Sequence, residues 1–212
     1  MDYERKNFEF YSRFFGEEDL GRRVGWLKPD SQRLNFLELS QIIPEPVSHR
    51  AISVLDVGCG TGELWSFLSF IQPLTNYLGV DILQENIMVA KEKYPLAEFI
   101  RGDALAEDFK LPTMDFVFAS GLFGLRLLED DNEQMRWVQQ SVSKLFKSCR
   151  LGVAVNFWAG IDPARKLFSY NPYEVCEALR LISHSFILNH DFRDDAFSIF
   201  LYKEKLRLNL LA

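Results

Sequence analysis

Cysteine, histidine and long apolar runs are all scarce in this sequence. The three cysteines, Cys59, Cys149 and Cys176, form no CxxC pair and cannot all pair with one another. That pattern fits a reducing compartment. The three histidines, His49, His184 and His190, share no metal-ligand spacing among themselves or with the cysteines, so no metal is expected. No stretch approaches the ~20 apolar residues that a membrane span requires. The opening MDYERKNFEFYSRFF lacks the apolar run of a signal peptide. A soluble, cytoplasmic protein without a membrane partner is the expectation. With only 12 Gly and 8 Pro in 212 residues, fibrous and disordered classes are excluded as well.

What the chain does have is a globular composition: 48% of its residues are hydrophobic and the net charge is −6. An acidic protein is poorly suited to neutralising phosphates, so nucleic acid is not an expected partner. Aromatic content is high at 14%, led by 19 Phe, enough to fill a core and still line a pocket. The length suits one large domain with an elaboration better than two full domains.

Short β-branched or aromatic runs alternate with amphipathic stretches, the pattern of a βαβ sheet. Strands are expected at Ile52–Asp56, Tyr77–Asp81, Glu98–Arg101, Asp115–Ala119 and Gly152–Phe157. Helices are expected at Glu63–Phe70, Gln84–Tyr94, Asn132–Lys147 and Tyr173–Ile182. The third of these sets Met135, Val138, Val142, Leu145 and Phe146 on one face. Two closing strands, Phe186–Asp191 and Phe197–Tyr202, flank the polar turn Arg193-Asp194-Asp195 and read as an antiparallel hairpin. The expected architecture is α/β: a Rossmann-like, doubly wound seven-stranded sheet, mostly parallel and ended by that hairpin.

Residues 1–50 read as an N-terminal helical elaboration on a ligand-binding domain at 51–212. Lys28-Pro29-Asp30-Ser31 is a helix-start signal, with Asp30 or Ser31 as cap, and the helix through Ile43 would turn Leu34, Leu37 and Ile42 inward. Residues 1–36 carry Tyr3, Phe8, Phe10, Tyr11, Phe14, Phe15, Trp26 and Phe36. Such a segment acts either as a mobile lid, hinged near Gly21 and Gly25 with Arg22 and Arg23 facing a bound carboxylate, or as permanent core.

The most informative stretch is Val54-Leu55-Asp56-Val57-Gly58-Cys59-Gly60-Thr61-Gly62-Glu63-Leu64, a strand running through a glycine turn into a helix. Glycines let a ligand approach the backbone, and the helix start offers free N–H groups. The dinucleotide fingerprint needs Gly where Glu63 stands. Asp56 beside the turn would repel a pyrophosphate but suit an ammonium group. The second strand ends at Asp81, placed to accept hydrogen bonds from both hydroxyls of a ribose. The third ends in Gly102-Asp103-Ala104, an acceptor suitably placed for an adenine amino group. The fourth ends in Ala119-Ser120-Gly121, at the crevice where open α/β sheets bind ligands.

Four segments, LDVGCGTG (55–62), LGVDILQENI (78–87), FIRGDAL (99–105) and DFVFASG (115–121), together resemble the class I S-adenosylmethionine-dependent methyltransferases, in order and spacing over residues 51–204. Residues 21–26 and 31–34 are also similar to a bacterial subgroup of that family. The resemblance implies S-adenosyl-L-methionine as cofactor, S-adenosyl-L-homocysteine as product and a small-molecule acceptor. It places Asp56, Gly58, Gly60 and Gly62 around the methionyl moiety, Asp81 with Ile82 at the ribose, Asp103 with Ala104 at the adenine, and Ser120 beside the cofactor. Tyr11, Trp26, Phe123, Phe157 and Trp158 are candidates for the acceptor pocket. No catalytic base stands out: His184 and His190 read as surface or hairpin residues, and Cys59 as a small side chain under the turn. Asn171-Pro172-Tyr173 lacks the second Pro of the amino-group methyltransferase motif and follows the wrong strand, so it reads as a helix start. A nicotinamide-dependent oxidoreductase, disfavoured by Asp56 and Glu63, remains an alternative. So do an aminopropyltransferase and a non-catalytic cofactor-binding protein of the same fold.

Overall fold

The computed structural model describes residues 3–26, 30–44, 49–164 and 166–204. In chain order the elements are α1 (Tyr3–Tyr11), a 3-10 turn (Ser12–Phe14), α2 (Leu20–Arg23), α3 (Ser31–Ser40), β1 (Ile52–Val57), α4 (Glu63–Ile71), β2 (Leu74–Asp81), α5 (Gln84–Lys93), β3 (Glu98–Arg101), β4 (Met114–Ala119), α6 (Asp131–Lys147), β5 (Cys149–Trp158), α7 (Pro172–Leu179), β6 (Ser185–Arg193) and β7 (Ala196–Tyr202). The seven strands form one sheet in the order β3-β2-β1-β4-β5-β7-β6. β7 is antiparallel to both of its neighbours, and all other pairings are parallel. The expected doubly wound sheet with its closing hairpin is the observed one.

Helices cover both faces, so the central strands are buried on each side, as parallel sheets require. Alternate residues of β4 serve the two layers. Phe116 and Phe118 join Leu39, Leu64, Leu68 and Ile87 on one face, while Val117 and Ala119 join Val138, Val142 and Leu145 on the other. The last three are fully buried along α6, and each contributes roughly 1.5–3 kcal/mol by leaving water. Asp130 caps that helix by accepting from Glu133 N at 2.9 Å, and Asn171 caps α7 by accepting from Tyr173 N at 2.9 Å.

Helix α3 differs from its expected orientation. Leu34 and Leu37 are 44% and 55% exposed, while Ser31, Asn35, Phe36, Glu38 and Leu39 are buried and only Ile42 turns inward as expected. The buried face carries Phe36, Leu39 and Ile42 at three-residue spacing, and hydrogen bonds fasten it. Asn156 Nδ2 donates to Asn35 Oδ1 at 2.5 Å, and Ser198 donates to the Glu38 carboxylate. Asp30 precedes the helix in the left-handed region (φ 61°) and makes no side-chain cap bond. The Lys28-Pro29 half of the start signal lies outside the described residues.

Candidate functional site

Register places the site. Asp56 pairs with Gly79 and Asp81 with Arg101, so the carboxyl ends of β1, β2 and β3 lie along one edge of the sheet. The strand order reverses between β1 and β4, and open α/β sheets bind ligands at that switch point. A cavity of about 260 Å³ opens there. Asp56, Gly58, Gly60, Asp81, Ile82, Asp103, Ala104 and Ser120 all border it, as do Tyr11, Trp26, Phe157 and Trp158.

Two candidates stand elsewhere. Gly62 lies beneath the turn, where a Cβ would sit 2.7 Å from the Phe99 ring, and its φ of +87° is one that side chains resist. Its role is to let the turn settle on β3. Phe123 is fully buried and stacks on Phe157 with ring centroids 5.6 Å apart, so it belongs to the core behind the cavity.

The turn is held from below by β2. Gly58 N and Cys59 N donate to Val80 O, at 2.8 and 3.1 Å. Asp81 then organises the whole corner. Its Oδ2 accepts from Gly60 N at 2.9 Å, and its Oδ1 accepts from Leu83 N at 2.8 Å and Asn86 Nδ2 at 3.4 Å. Burial nevertheless raises the Asp81 carboxyl above the usual range, against the opposing effect of these bonds. Asp56 accepts from the Tyr77 hydroxyl at 2.6 Å. Burial pushes its carboxyl up to about 7, opposed by the Tyr77 bond and reinforced by the charges of Asp81 and Glu63. Asp103 Oδ1 accepts from Leu105 N at 3.0 Å, which tightens the third loop.

Sequence reasoning missed Tyr77, Asn86, Asn35 and Asn156. Asn86 is buried, and its Oδ1 has no partner. Asn156 Oδ1 accepts from Gly121 N at 2.7 Å and so fixes the loop after β4. Only the spacing of Asn86 to Asp81, one helical turn into α5, could have singled it out.

The N-terminal elements form a roof. Val24 lies over Gly60 and Trp26 over Gly121, where a Cβ would meet each at 2.9 and 3.1 Å respectively. α1 spans the mouth: Glu4 pairs with Arg101 at the end of β3, and Lys6 donates to Leu127 O beyond β4. Arg23 is turned to Phe15, donating to its carbonyl and lying over its ring, rather than into the cavity. Burial and the Asp81 charge raise the Tyr11 phenol, and burial raises the Cys59 thiol, so both stay protonated near neutral pH. No Lys, Arg or His side chain is found among the described residues that line the cavity. Nor do the described residues contain a group of three His, Cys, Asp or Glu able to hold a metal.

Buried carboxylates with no cation of their own, a glycine turn beneath a helix start and an unpartnered Asn86 Oδ1 call for a cationic ligand that also donates hydrogen bonds. A family profile described as "Methyltransferase domain" matches residues 54–145, which span this corner. Over this corner the chain is similar to the class I S-adenosylmethionine-dependent methyltransferases, in a match that spans less than half of its length. A protein named as a methyltransferase in Mycobacterium tuberculosis is 27% identical over 161 residues, covering 71% of this chain and 93% of that protein. The ubiquinone/menaquinone biosynthesis C-methyltransferase of Campylobacter jejuni is 32% identical over 111 residues, 50% of this chain and 43% of that enzyme. The match thus spans less than half the length of the quinone methyltransferase. Magnesium protoporphyrin IX methyltransferase from Synechocystis, solved with S-adenosylhomocysteine, shares the methyltransferase fold with a TM-score of 0.66 at 13% identity, over 95% of this chain and 96% of that one. No helix of the described residues is long and apolar enough to cross a membrane.

Proposed function

We propose that this protein binds S-adenosylmethionine at the ends of β1, β2 and β3 and passes its methyl group to a small-molecule acceptor at the ends of β4 and β5. The observation that carries the reading is the pair of buried carboxyls, Asp56 and Asp81, 2% and 8% exposed in a cavity without a described cationic side chain. Burying such groups is unfavourable unless a positive ligand compensates them.

When bound, the cofactor supplies an electrophilic methyl carbon on a sulfonium, whose C–S bond breaks with the electron pair passing to sulfur. The residues present fit that group. Asp56 would face the ammonium, the Asp81 carboxylate and Asn86 Oδ1 would take the ribose hydroxyls, and Asp103 with Ala104 would meet the adenine. The Gly58–Gly60 backbone leaves room for the methionyl chain. Tyr11 and Cys59, both held protonated, are no bases. The acceptor's nucleophilic atom therefore supplies its own electron pair without help from either side chain. The roof of α1, α2 and Trp26 would exclude bulk water and align the acceptor, which is most of what an already activated methyl requires.

The quinone C-methyltransferase relative supports a small organic acceptor. Calorimetry with S-adenosylmethionine and S-adenosylhomocysteine, followed by transfer of labelled methyl into a metabolite extract, tests the proposal. Binding of both with label in an extractable small molecule is expected. Binding of NAD in their place, or no label transferred, defeats it.

A further inference from the structure

We propose that the acceptor side of this cavity takes an uncharged, flat, apolar molecule bearing one hydroxyl or carbonyl oxygen, and that Ser120 binds that oxygen. The inference rests on the methyltransferase reading and gives it a substrate class.

The cavity is sharply divided by chemistry. Its described acidic residues, Asp56, Asp81 and Asp103, all stand at the ends of β1, β2 and β3. Across the switch point, the described lining from β4, β5 and the roof contains aromatic, aliphatic and neutral polar side chains and, apart from the Tyr11 phenol held protonated, no ionisable acid or base. Phe10, Phe14, Trp26 and Trp158 supply broad apolar faces, Trp26 resting on Gly121, and Gly124 leaves a stretch of the lining without a side chain. A Cβ added at Gly124 would meet only the Gly121 carbonyl, at 3.5 Å, so the space beside it is open. Aromatic faces beside that open glycine position fit a planar ring system.

Charge on the acceptor is disfavoured in either sign. A carboxylate or phosphate held away from the reacting atom would be buried with no described cation to pair with. An ammonium would be brought beside the sulfonium's own positive charge. Neutral molecules escape both penalties.

The strand ends also show where a polar group would be met. Asn156 has both ends of its amide engaged, with Asn35 and with Gly121 N. The Ser120 hydroxyl, at the end of β4, is buried and has no partner. A hydroxyl in that state is under-satisfied until a ligand brings it one, and it can either donate to a carbonyl or accept from a hydroxyl. Sequence position alone gave Ser120 to the cofactor; the division of the cavity gives it to the acceptor.

Equilibrium dialysis of the intact protein saturated with S-adenosylhomocysteine tests this with a matched series: 2-naphthol, 2-naphthoate and 2-naphthylmethylamine. The neutral naphthol should bind at least tenfold more tightly than either charged analogue. Ser120→Ala should weaken naphthol binding roughly three- to tenfold, the worth of one neutral hydrogen bond. Its affinity for S-adenosylhomocysteine, read by calorimetry, should not change. Equal or tighter binding of a charged analogue overturns the proposed class, and the wild-type series decides this even if the variant fails to fold. Loss of S-adenosylhomocysteine affinity in Ser120→Ala, with naphthol binding intact, returns the residue to the cofactor. If wild-type protein fails to bind S-adenosylhomocysteine at all, the methyltransferase reading itself falls.

Discussion

The Tyr77 hydroxyl donates to Asp56 Oδ2 at 2.6 Å across the β1–β2 pair, so this buried carboxyl is partnered by a hydrogen bond and not by a described cation. One hydrogen bond cannot offset full burial, which is why Asp56 titrates near 7 rather than 3.8. Ligand-free protein thus carries an acid poised at neutrality where a positive ligand would hold it ionised.

A pH dependence follows, with a definite sign. Between about pH 3.8 and about 7 the unfolded chain has lost the Asp56 proton while the folded chain keeps it. Stability therefore falls as pH rises through that window and reaches its low plateau above it. Asp81, raised in the same direction, adds to the trend. Asp56→Asn should raise the thermal midpoint at pH 8 and flatten its decline, while weakening S-adenosylmethionine binding. Binding to the wild type near pH 6.5 should release a fraction of a proton, read as a dependence of calorimetric enthalpy on buffer ionisation. A variant no more stable than wild type at pH 8 would contradict the assignment.

At the β2 end, Asp81 accepts from Gly60 N and Leu83 N and, on the proposed function, would also receive the ligand, whereas Asn86 Oδ1 waits unpaired. Asp81→Ala should cost tenfold or more in cofactor affinity, about 1.4 kcal/mol, and also lower the thermal midpoint by loosening the turn. Asn86→Ala should cost a smaller factor in affinity with less effect on stability, because its free oxygen contributes little until a ligand arrives. Isothermal titration paired with thermal melts separates the two patterns.

The polar seam under α3 predicts a stability effect remote from the ligand. Asn35→Ala removes the acceptor of Asn156 Nδ2 and leaves a buried donor unpaired, which costs roughly 1–3 kcal/mol. Asn35→Asp keeps that acceptor but buries an uncompensated charge and loses the donor to Ser31 O, so it should recover little of the loss near neutral pH. Urea denaturation checks both, and an alanine variant as stable as wild type would mean the seam is incidental.

That seam also marks where sequence reading stopped. The sheet, its closing hairpin and the acidic strand ends were legible because each rests on a local rule: β-branched runs, a glycine turn, a carboxylate at a strand terminus. The orientation of α3 was not. Leu34 and Leu37 look like the buried face by spacing, but the buried stripe is Phe36, Leu39 and Ile42, and beside it Asn35 and Glu38 meet Asn156 and Ser198, partners more than a hundred residues away. Asn86 and Tyr77 escaped notice for the same reason, since their significance lies in what they face across the sheet. Phe123 was misplaced because the end of a strand can turn its side chain into the cavity or behind it, and stacking on Phe157 chose the latter.

Residues 1–36 were read as one lid or one piece of core, and the contacts divide them at the start of α3. Phe36 and Leu39 are embedded in the layer beneath the sheet, and the Asn35–Asn156 bond is buried, so α3 is bound as firmly as the strands. The roof is attached by weaker means. Its Glu4–Arg101 ion pair has both side chains about half exposed, a class of contact worth no more than about 1 kcal/mol. Lys6 reaches a backbone carbonyl on the far side, and Tyr11, Val24 and Trp26 touch the cavity rather than a sealed core. Segments held this way open locally at low cost. Amide exchange should therefore be fast over residues 3–26 and slow over 31–40 in the free protein, and S-adenosylhomocysteine should slow the first set and leave the second unchanged. Glu4→Gln should speed exchange in the roof further while leaving α3 and the thermal midpoint nearly untouched. Exchange over residues 3–26 as slow as in β1 and β4 without ligand would show instead that the roof is permanent core.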